Sequence, residues 1–237
     1  MRKALIWVGL VTGIAAVVAA EERQPVLVEL FTSEGCSSCP PADALLEKLE
    51  RAQPVAGAHV IALSEHVDYW NHIGWTDPYS SSAFSTRQQV YAKRFGIDGP
   101  YTPQMVVDGR AQFVGSDVRK AELAIQAAAR QQKVAIRLSG SPLITVEVDP
   151  APSGKTNIYV AHAADAGTSD VLRGENKGRR LHHVSIVKEL RQIGTIDQRS
   201  GFKTQLTIKT GAERLIVFAQ DPGNGRVWGA AMVTASK

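Results

Sequence analysis

The two cysteines of this 237-residue sequence, Cys36 and Cys39, share one Cys-x-x-Cys motif between a predicted strand and a predicted helix. An apolar run at residues 26–31 precedes the motif and is typical of a buried strand. Two prolines follow it, and apolar residues then recur at helical spacing over residues 42–49. We therefore expect Cys36 at the N-terminus of this helix, where the helix dipole favours a thiolate.

The motif is open to three interpretations. A redox-active pair needs a stabilised thiolate, and the position between a strand and a helix favours this reading. A structural disulfide would only clamp the turn. A soft-metal site, such as one for Cu(I), would use both thiolates of Cys36 and Cys39 with His66 as a possible third ligand. The motif alone supplies too few ligands for tetrahedral zinc, so we predict no resident metal or other cofactor.

The N-terminus has the pattern of a secretory signal. Arg2 and Lys3 precede an apolar stretch at residues 4–18, and small residues follow before the charged Glu21. The stretch is short for a spanning helix, which needs roughly 20 apolar residues. We predict a signal peptide at residues 1–20 that is removed, leaving no membrane contact. The mature protein would be periplasmic or secreted, where a disulfide persists.

Charge and composition exclude some partners. Loss of Arg2 and Lys3 would lower the formal charge from +4 to +2, and the sequence has no dense basic tract. Nucleic acid is therefore not an expected partner. Residues 173–180 hold the nearest basic cluster, but their glycines and mixed charge indicate a solvated turn. The hydrophobic fraction of 44% is that of an ordinary globular protein. No pattern indicates the oligomeric state.

The first half of the chain alternates strands and helices. The further predicted elements are a strand at residues 59–63, a helix from Ser80 or Ser81 to Phe95, a hairpin at Asp108 and Gly109, and a helix capped by Ser116. This order and the Cys motif resemble the thioredoxin fold over residues 25–132. The resemblance implies that Thr102 and Pro103 face the motif, joined by a cis peptide bond, and hold the substrate strand.

A closer resemblance rests on longer strings. The sequence FTSEGCSSCPPAD at residues 31–43, HVDYW at residues 66–70 and GEN from residue 174 resemble a family of secreted thioredoxin-like proteins of unknown function, the DUF1223 type. The match extends over most of the chain and implies the fold better than an activity. The central Ser-Ser pair differs from the Gly-Pro of thioredoxins, so their redox potential cannot be transferred to this motif.

Glu29 is the candidate proton acceptor for the buried thiol of Cys39. Many thioredoxin relatives carry a buried carboxylate six residues before the first cysteine. Glu29 lies seven residues before Cys36, and one extra loop residue would absorb the difference. The alternative is an exposed glutamate at the edge of the strand, because alternation along a strand does not decide which face a residue takes.

Residues 65–79 combine histidines, carboxylates and aromatic side chains after the end of a predicted strand. Open α/β sheets place their binding crevice at this end of their strands. We therefore predict a substrate-binding wall formed by His66, Asp68 and Trp70 together with Thr102. The alternative is a self-packed loop in which His66 and Asp68 bind the backbone.

The second half changes character near residue 133. Short alternating strands separated by Gly, Pro and Asn indicate an antiparallel β-sandwich. His182 and His183 are adjacent in one such strand, so they should point to opposite faces, one buried and one exposed. Joint binding of one metal by the pair is therefore not expected. The domain could bind a partner or pack as a lid.

These observations combine into one prediction. The fold class is an α/β thioredoxin-like domain at residues 21–133 followed by an antiparallel β-sandwich domain at residues 134–237. The expected function is a periplasmic thiol–disulfide oxidoreductase, in which Cys36 attacks protein disulfides or receives protein thiols and Cys39 resolves the mixed disulfide. The alternatives are a copper-binding protein and an interaction scaffold whose disulfide is structural.

Overall fold

The computed structural model describes residues 23–152, 154–209 and 213–235. The predicted signal peptide, residues 1–20, lies outside these ranges, and its removal stays a prediction. Within them, no helix is both long enough and apolar enough to cross a membrane.

The strands and helices of the described ranges follow the alternating order expected for the first half, and strands alone make up the second half. In chain order they are β1 (Gln24–Thr32), α1 (Pro40–Ala52), β2 (Ala58–His66), a short 3₁₀ helix (Asn71–Ile73), α2 (Ser82–Phe95), β3 (Gln104–Val107), β4 (Ala111–Val114), α3 (Val118–Ala129), β5 (Ile136–Ser139), β6 (Leu143–Val148), β7 (Thr156–Asp170), β8 (Arg180–Ile196), β9 (Phe202–Thr207), β10 (Arg214–Gln220) and β11 (Val227–Thr234).

Strands from both halves form one mixed sheet of eight strands, in the order β11-β10-β7-β8-β2-β1-β3-β4. Strand β2 is parallel to β1 on one side and to β8 on the other, where Ser64 pairs with Ile186. The other neighbours in this sheet are antiparallel. The protein therefore has a mixed α/β fold built on a large mixed sheet.

The expected β-sandwich needs a correction. The second half is antiparallel, but β7, β8, β10 and β11 extend the sheet of the first half instead of forming a separate one. Strands β5, β6 and β9 form a second, three-stranded antiparallel sheet. Its residues Ile144 and Val146 pack with Val160 and Val217 of the large sheet. Alternation identified these strands, but it carries no information on which strand lies beside which. The division at residue 134 stays a prediction.

The helices cover both faces of the first half of the sheet. Val28 and Leu30 of β1 pack with α1 and α3 on one face. Leu27 and Phe31 of the same strand pack with α2 on the other face. Successive strand residues point to opposite faces, so each face is fixed by this alternation. Residues of β1 with odd numbers therefore face α2, and those with even numbers face α1.

Several predicted boundaries are confirmed and two are wrong. Ser81 caps α2 and accepts a hydrogen bond from the amide of Ala83. The hairpin between β3 and β4 turns at Asp108 and Gly109, which both have positive φ. Helix α3 is capped by Asp117 instead of Ser116, because the Asp117 carboxylate accepts a hydrogen bond from a backbone amide of the first turn. Helix α1 has Cys39 as its N-cap residue, so Cys36 does not occupy that position.

Candidate functional site

Cys36 and Cys39 form a disulfide within the turn that leads into α1. Their Cα atoms are 5.4 Å apart, and the amide of Cys39 donates a 3.2 Å hydrogen bond to the carbonyl oxygen of Cys36. Both cysteines have 0% exposure. The two residues between them, Ser37 and Ser38, are exposed. The disulfide is thus buried, although the two residues that it encloses are exposed.

The connection between β7 and β8, residues 171–179, holds this turn. The side-chain amide of Asn176 donates hydrogen bonds of 2.9 Å to the carbonyl oxygens of both Glu34 and Cys36. The amide of Ser37 donates a 3.1 Å hydrogen bond to the carboxylate of Glu175. Asn176 is 1% exposed, so the interpretation of this segment as a solvated turn is wrong at its centre. The Gly-Glu-Asn string marked the segment, but no local pattern indicates what it contacts.

His66 lies at the end of β2 and is completely buried. Its Nδ1 is 2.7 Å from the carboxylate of Asp77, which also accepts a 2.9 Å hydrogen bond from the amide of Glu34. Burial raises the pKa of Asp77, but the charge of His66 and these hydrogen bonds outweigh burial and lower the pKa below its ordinary value. His66 has no exposed surface in this structure, so a substrate could contact it only after a rearrangement. The self-packed alternative describes it better, although its partner is a carboxylate and not the backbone.

His183 lies beside His66, with ring centroids 4.6 Å apart. Its Nε2 is 3.3 Å from a carboxylate oxygen of Glu34, and its Nδ1 is 3.8 Å from one of Asp43. Burial lowers the pKa of His183, but Asp43 and Glu34 outweigh it and raise the pKa to about 9. The side chain of His183 is 1% exposed and that of His182 is 41% exposed, which confirms the prediction of one buried and one exposed histidine.

Glu34, Asp43, Asp77 and His183 were not among the predicted site residues. The first two flank the motif in sequence, two residues before Cys36 and four after Cys39. Their short distance from the cysteines in the sequence was the signal that could have identified them as site residues. The contribution of His183 comes from a strand almost 150 residues away, and no local pattern reports it.

Trp70 and Thr102 lie together near the loop that precedes Cys36, and their role in substrate binding stays a prediction. The indole Nε1 of Trp70 donates a 2.7 Å hydrogen bond to the hydroxyl of Thr102. A Cβ atom added at Gly35 would lie 3.0 Å from the Cβ of Trp70. The first atom of the Trp70 side chain therefore packs against the loop that precedes Cys36. Both residues remain partly exposed.

Pro103 is buried, and the peptide bond that precedes it is cis, which confirms the expected geometry. A Cβ atom added at Gly115 would lie 3.2 Å from Pro103 and 3.1 Å from Ala42, so Pro103 lies near the first turn of α1.

Asp68, the remaining residue of the predicted wall, contacts α2. Its carboxylate accepts a 2.5 Å hydrogen bond from Ser85 of α2.

The expected role of Glu29 is wrong. Glu29 is fully buried on the α2 face of the sheet, where Arg87 donates a 2.6 Å hydrogen bond to it and Tyr91 a 2.5 Å hydrogen bond. Helix α1 with Cys39 lies on the opposite face. The residue six positions before Cys36 is Leu30, which packs under α1. The loop therefore contains no extra residue that would bring Glu29 to the cysteine side.

The part of the chain that the structure describes contains no arranged set of metal ligands. There, no group of three or more His, Cys, Asp or Glu side chains could hold a metal ion. In His66, the third ligand considered for copper, Nδ1 is bound to Asp77, and Nε2 has no hydrogen-bond partner among the described residues.

Comparison with solved structures extends the fold to other proteins. The chain is similar to protein AGR_C_4864 from Agrobacterium tumefaciens, known from an X-ray structure, with 29% identity and a TM-score of 0.79 over 92% of this chain and 97% of that chain. HBP35 of Porphyromonas gingivalis has 14% identity and a TM-score of 0.56 over 92% of this chain and 77% of that chain, a likeness of fold alone. None of the curated proteins compared with the chain matches it.

A family model matches residues 27–220. The matched segment includes the disulfide, the buried histidines and the connection that holds Asn176 against the motif. It also spans both halves of the eight-stranded sheet. The chain belongs to the family described as "Protein of unknown function (DUF1223)".

Proposed function

We propose that this protein is a thiol–disulfide oxidoreductase with a thioredoxin-like core, which exchanges disulfides with protein thiols through Cys36 and Cys39. The observation that carries the proposal is the pairing of the only two cysteines of the sequence in one turn at the start of α1. Thiol–disulfide exchange needs two sulfurs that can alternate between a bond to each other and a bond to a substrate.

The thioredoxin-like core is supported by the order of elements. A strand, the Cys motif, a helix, a second strand and a second helix are followed by an antiparallel hairpin and a third helix. Strands β1 and β2 are parallel, and α1 and α2 cover opposite faces. Pro103, after its cis bond, lies near the first turn of α1.

The exchange proceeds in two steps. A substrate thiolate attacks Sγ of Cys36, the Cys36–Cys39 bond breaks, and its electron pair passes to Sγ of Cys39. A second substrate thiolate then attacks the mixed disulfide and releases Cys36. In the opposite direction, the Cys36 thiolate attacks a substrate disulfide and expels one substrate thiolate, and Cys39 then attacks Sγ of Cys36 and expels the other. Trp70 and Thr102, partly exposed beside the motif, contact the substrate chain.

The proposed location is the periplasm or the extracellular space. The sequence of residues 1–20 has the features of a secretory signal, and an oxidising compartment is where a disulfide persists. Protein thiols and disulfides, which are the proposed substrates, coexist in such a compartment.

A second candidate function rests on the burial of the motif. Both cysteines are fully buried, and Asn176 binds the carbonyl oxygen of Cys36. A structural disulfide that stabilises an interaction scaffold would have the same features. In the redox function, by contrast, the buried Sγ of Cys36 must become exposed before a thiolate reaches it.

The reduction potential of the Cys36–Cys39 pair separates the two functions. Equilibration with dithiothreitol and glutathione buffers, followed by alkylation of free thiols, gives this potential. The redox function predicts a potential above about −300 mV and reversible cycling, whereas a structural disulfide lies below about −300 mV. Reduction of insulin or oxidation of a reduced unfolded protein then tests turnover, with the Cys36→Ser variant as control. An inert, strongly reducing pair would refute the redox function.

A further inference from the structure

The strongest unexplained feature is His183, a buried ionisable side chain that contacts residues on both sides of the Cys motif. His183 lies between Glu34, two residues before Cys36, and Asp43, four residues after Cys39. His183 is 2% exposed, Asp43 6% and Glu34 0%. Buried charged groups are costly, so a set of three beside a disulfide calls for a chemical explanation.

Two atoms of this set have no hydrogen-bond partner among the residues that the structure describes. They are Nδ1 of His183 and Oδ1 of Asp43, which lie 3.8 Å apart. Buried polar atoms are almost always paired, so two that are not call for an explanation. Reduction of the disulfide supplies one, because it adds an ionisable sulfur.

Helix geometry places the side chains of Cys39 and Asp43 on one face of the turn that begins α1. The amide of Asp43 donates a 3.1 Å hydrogen bond to the carbonyl oxygen of Cys39, so the helical turn already includes Cys39. Side chains four residues apart in a helix lie on the same face, about 5–6 Å apart at Cβ. Side chains also lean towards the N-terminus, which directs Asp43 over the preceding turn and Cys39.

We propose that Asp43 and His183 form a proton relay for the sulfur of Cys39, in which Asp43 exchanges the proton with the sulfur and His183 stores it. The proposal rests on the exchange function proposed above. It assigns to Asp43 and His183 the role that sequence reasoning expected of Glu29.

The relay balances protons in both directions. When a thiolate attacks Sγ of Cys36, Cys39 leaves as a thiolate and takes a proton from imidazolium His183 through the carboxylate of Asp43. His183 becomes neutral, and the buried sulfur carries no charge. In the reverse step, Cys39 returns the proton to His183 as its thiolate attacks Sγ of Cys36 and expels the substrate thiolate. The stored proton is available in the oxidised protein because the pKa of His183 is raised to about 9.

The surroundings of His183 contain further ionisable groups that the test must consider. His66 and Tyr79 pack against its ring with centroid distances of 4.6 Å and 5.7 Å. Asp77 is linked to His183 indirectly, because it binds Nδ1 of His66. Glu34 holds its Nε2 and Asp43 faces its Nδ1.

The test measures the rate of disulfide reduction by dithiothreitol from pH 6 to pH 10 in the oxidised full-length protein. Rates are divided by the thiolate fraction of the reagent, so that only the protein's own titration remains. We expect the wild-type rate to fall as pH rises through about 9, when His183 loses its proton. In His183→Gln the rate should be lower by about 10²-fold below that pH, a typical contribution of a general acid, and the fall should vanish.

Two further variants sharpen the result. His182→Gln changes the exposed neighbour in the same strand and should retain the wild-type profile. Asp43→Asn removes the link to the sulfur and should reproduce the His183→Gln profile while circular dichroism remains native. A His183→Gln profile that matches wild type would overturn the relay.

If His183→Gln does not fold, a measurement on the wild-type protein still tests the relay. Titration of the His183 ring by NMR in oxidised and in reduced protein reports whether the ring is coupled to Cys39. We expect midpoints that differ by about one pH unit, because Cys39 becomes an ionisable neighbour only on reduction. Identical midpoints would overturn the relay.

The relay and the exchange function fail in distinguishable ways. If the protein does not act on protein disulfides but its dithiothreitol profile depends on His183, the function fails and the relay stands. If protein disulfides are exchanged and the profile ignores His183, only the relay fails.

Discussion

Asn176 donates a 2.9 Å hydrogen bond to the carbonyl oxygen of Cys36, although 140 positions separate the two residues in the sequence. The same side-chain amide also binds the carbonyl oxygen of Glu34. One residue of the second half therefore holds the backbone on which the disulfide is built. The connection at residues 171–179 is thereby part of the site.

Substitution Asn176→Ala should loosen the motif. It leaves two buried carbonyl oxygens without their donor, which should lower the free energy of unfolding by about 2 kcal/mol. Local opening should also expose the disulfide, and its reduction by dithiothreitol should accelerate on the order of tenfold. Urea unfolding and thiol release measure the two effects. The control Lys177→Ala changes the exposed next residue. Equal reduction rates in both variants would contradict the role of Asn176 in holding the motif closed.

Glu29 should matter for stability and not for the cysteines. In Glu29→Gln the buried Arg87 loses its closest counter-ion, and the free energy of unfolding should fall by about 3 kcal/mol. Among the described residues, the remaining carboxylate beside Arg87 is then that of Glu65, 3.6 Å away. In the wild type, burial and the charge of Glu29 raise the pKa of Glu65 well above its ordinary value.

Chemical denaturation and alkylation of the reduced protein check this prediction together. The exposed Glu122→Gln serves as control and should leave stability unchanged. The alkylation profile of Cys39 should be the same in wild type and Glu29→Gln, because the two residues lie on opposite faces of the sheet. A changed Cys39 profile would instead revive Glu29 as its proton acceptor.

The stability of the oxidised protein should fall between about pH 6.5 and pH 9. The pKa of His183 rises from its ordinary 6.5 to about 9 on folding, so the folded state keeps a proton that the unfolded state releases in this window. The contribution is complete below pH 6.5 and is lost as pH rises through 9, with a size of about 3 kcal/mol. Burial lowers the pKa of His162, which therefore titrates below the window.

Urea unfolding at successive pH values measures this loss. His183→Gln should reduce the dependence between pH 6.5 and pH 9, and His182→Gln should retain it. A wild-type stability that stays constant across this window would show that His183 is not held charged between its two carboxylates.

The two halves should unfold together. Strand β2 lies between β1 and β8, and Leu27 and Leu63 of the first half pack in one cluster with Val187 and Phe218 of the second. A fragment of residues 21–133 should therefore expose this apolar face and lack cooperative thermal unfolding, whereas residues 21–237 should unfold in one transition. A fragment with a sharp transition and dispersed NMR signals would support two independent domains.

Local sequence patterns determined the features that depend on near neighbours. The run before Cys36 and the helical spacing after Cys39 predicted β1 and α1 around the motif. Asp108 and Gly109 predicted the hairpin, because a tight turn demands residues that accept positive φ. The adjacent histidines predicted one buried and one exposed side chain from the alternation of a strand. Each of these follows from the geometry of a few consecutive residues.

Only the tertiary structure decided which distant groups meet. Alternation allowed Glu29 either face, and the choice followed from Arg87 on α2, which binds its carboxylate. Nothing near His183 indicates that it packs between Glu34 and Asp43, since β8 reaches them only by pairing with β2. Periodicity reports which side chains share a face, whereas the partners of a side chain depend on the order of strands in the sheet. That order is set by the packing of the whole chain and has no local signature.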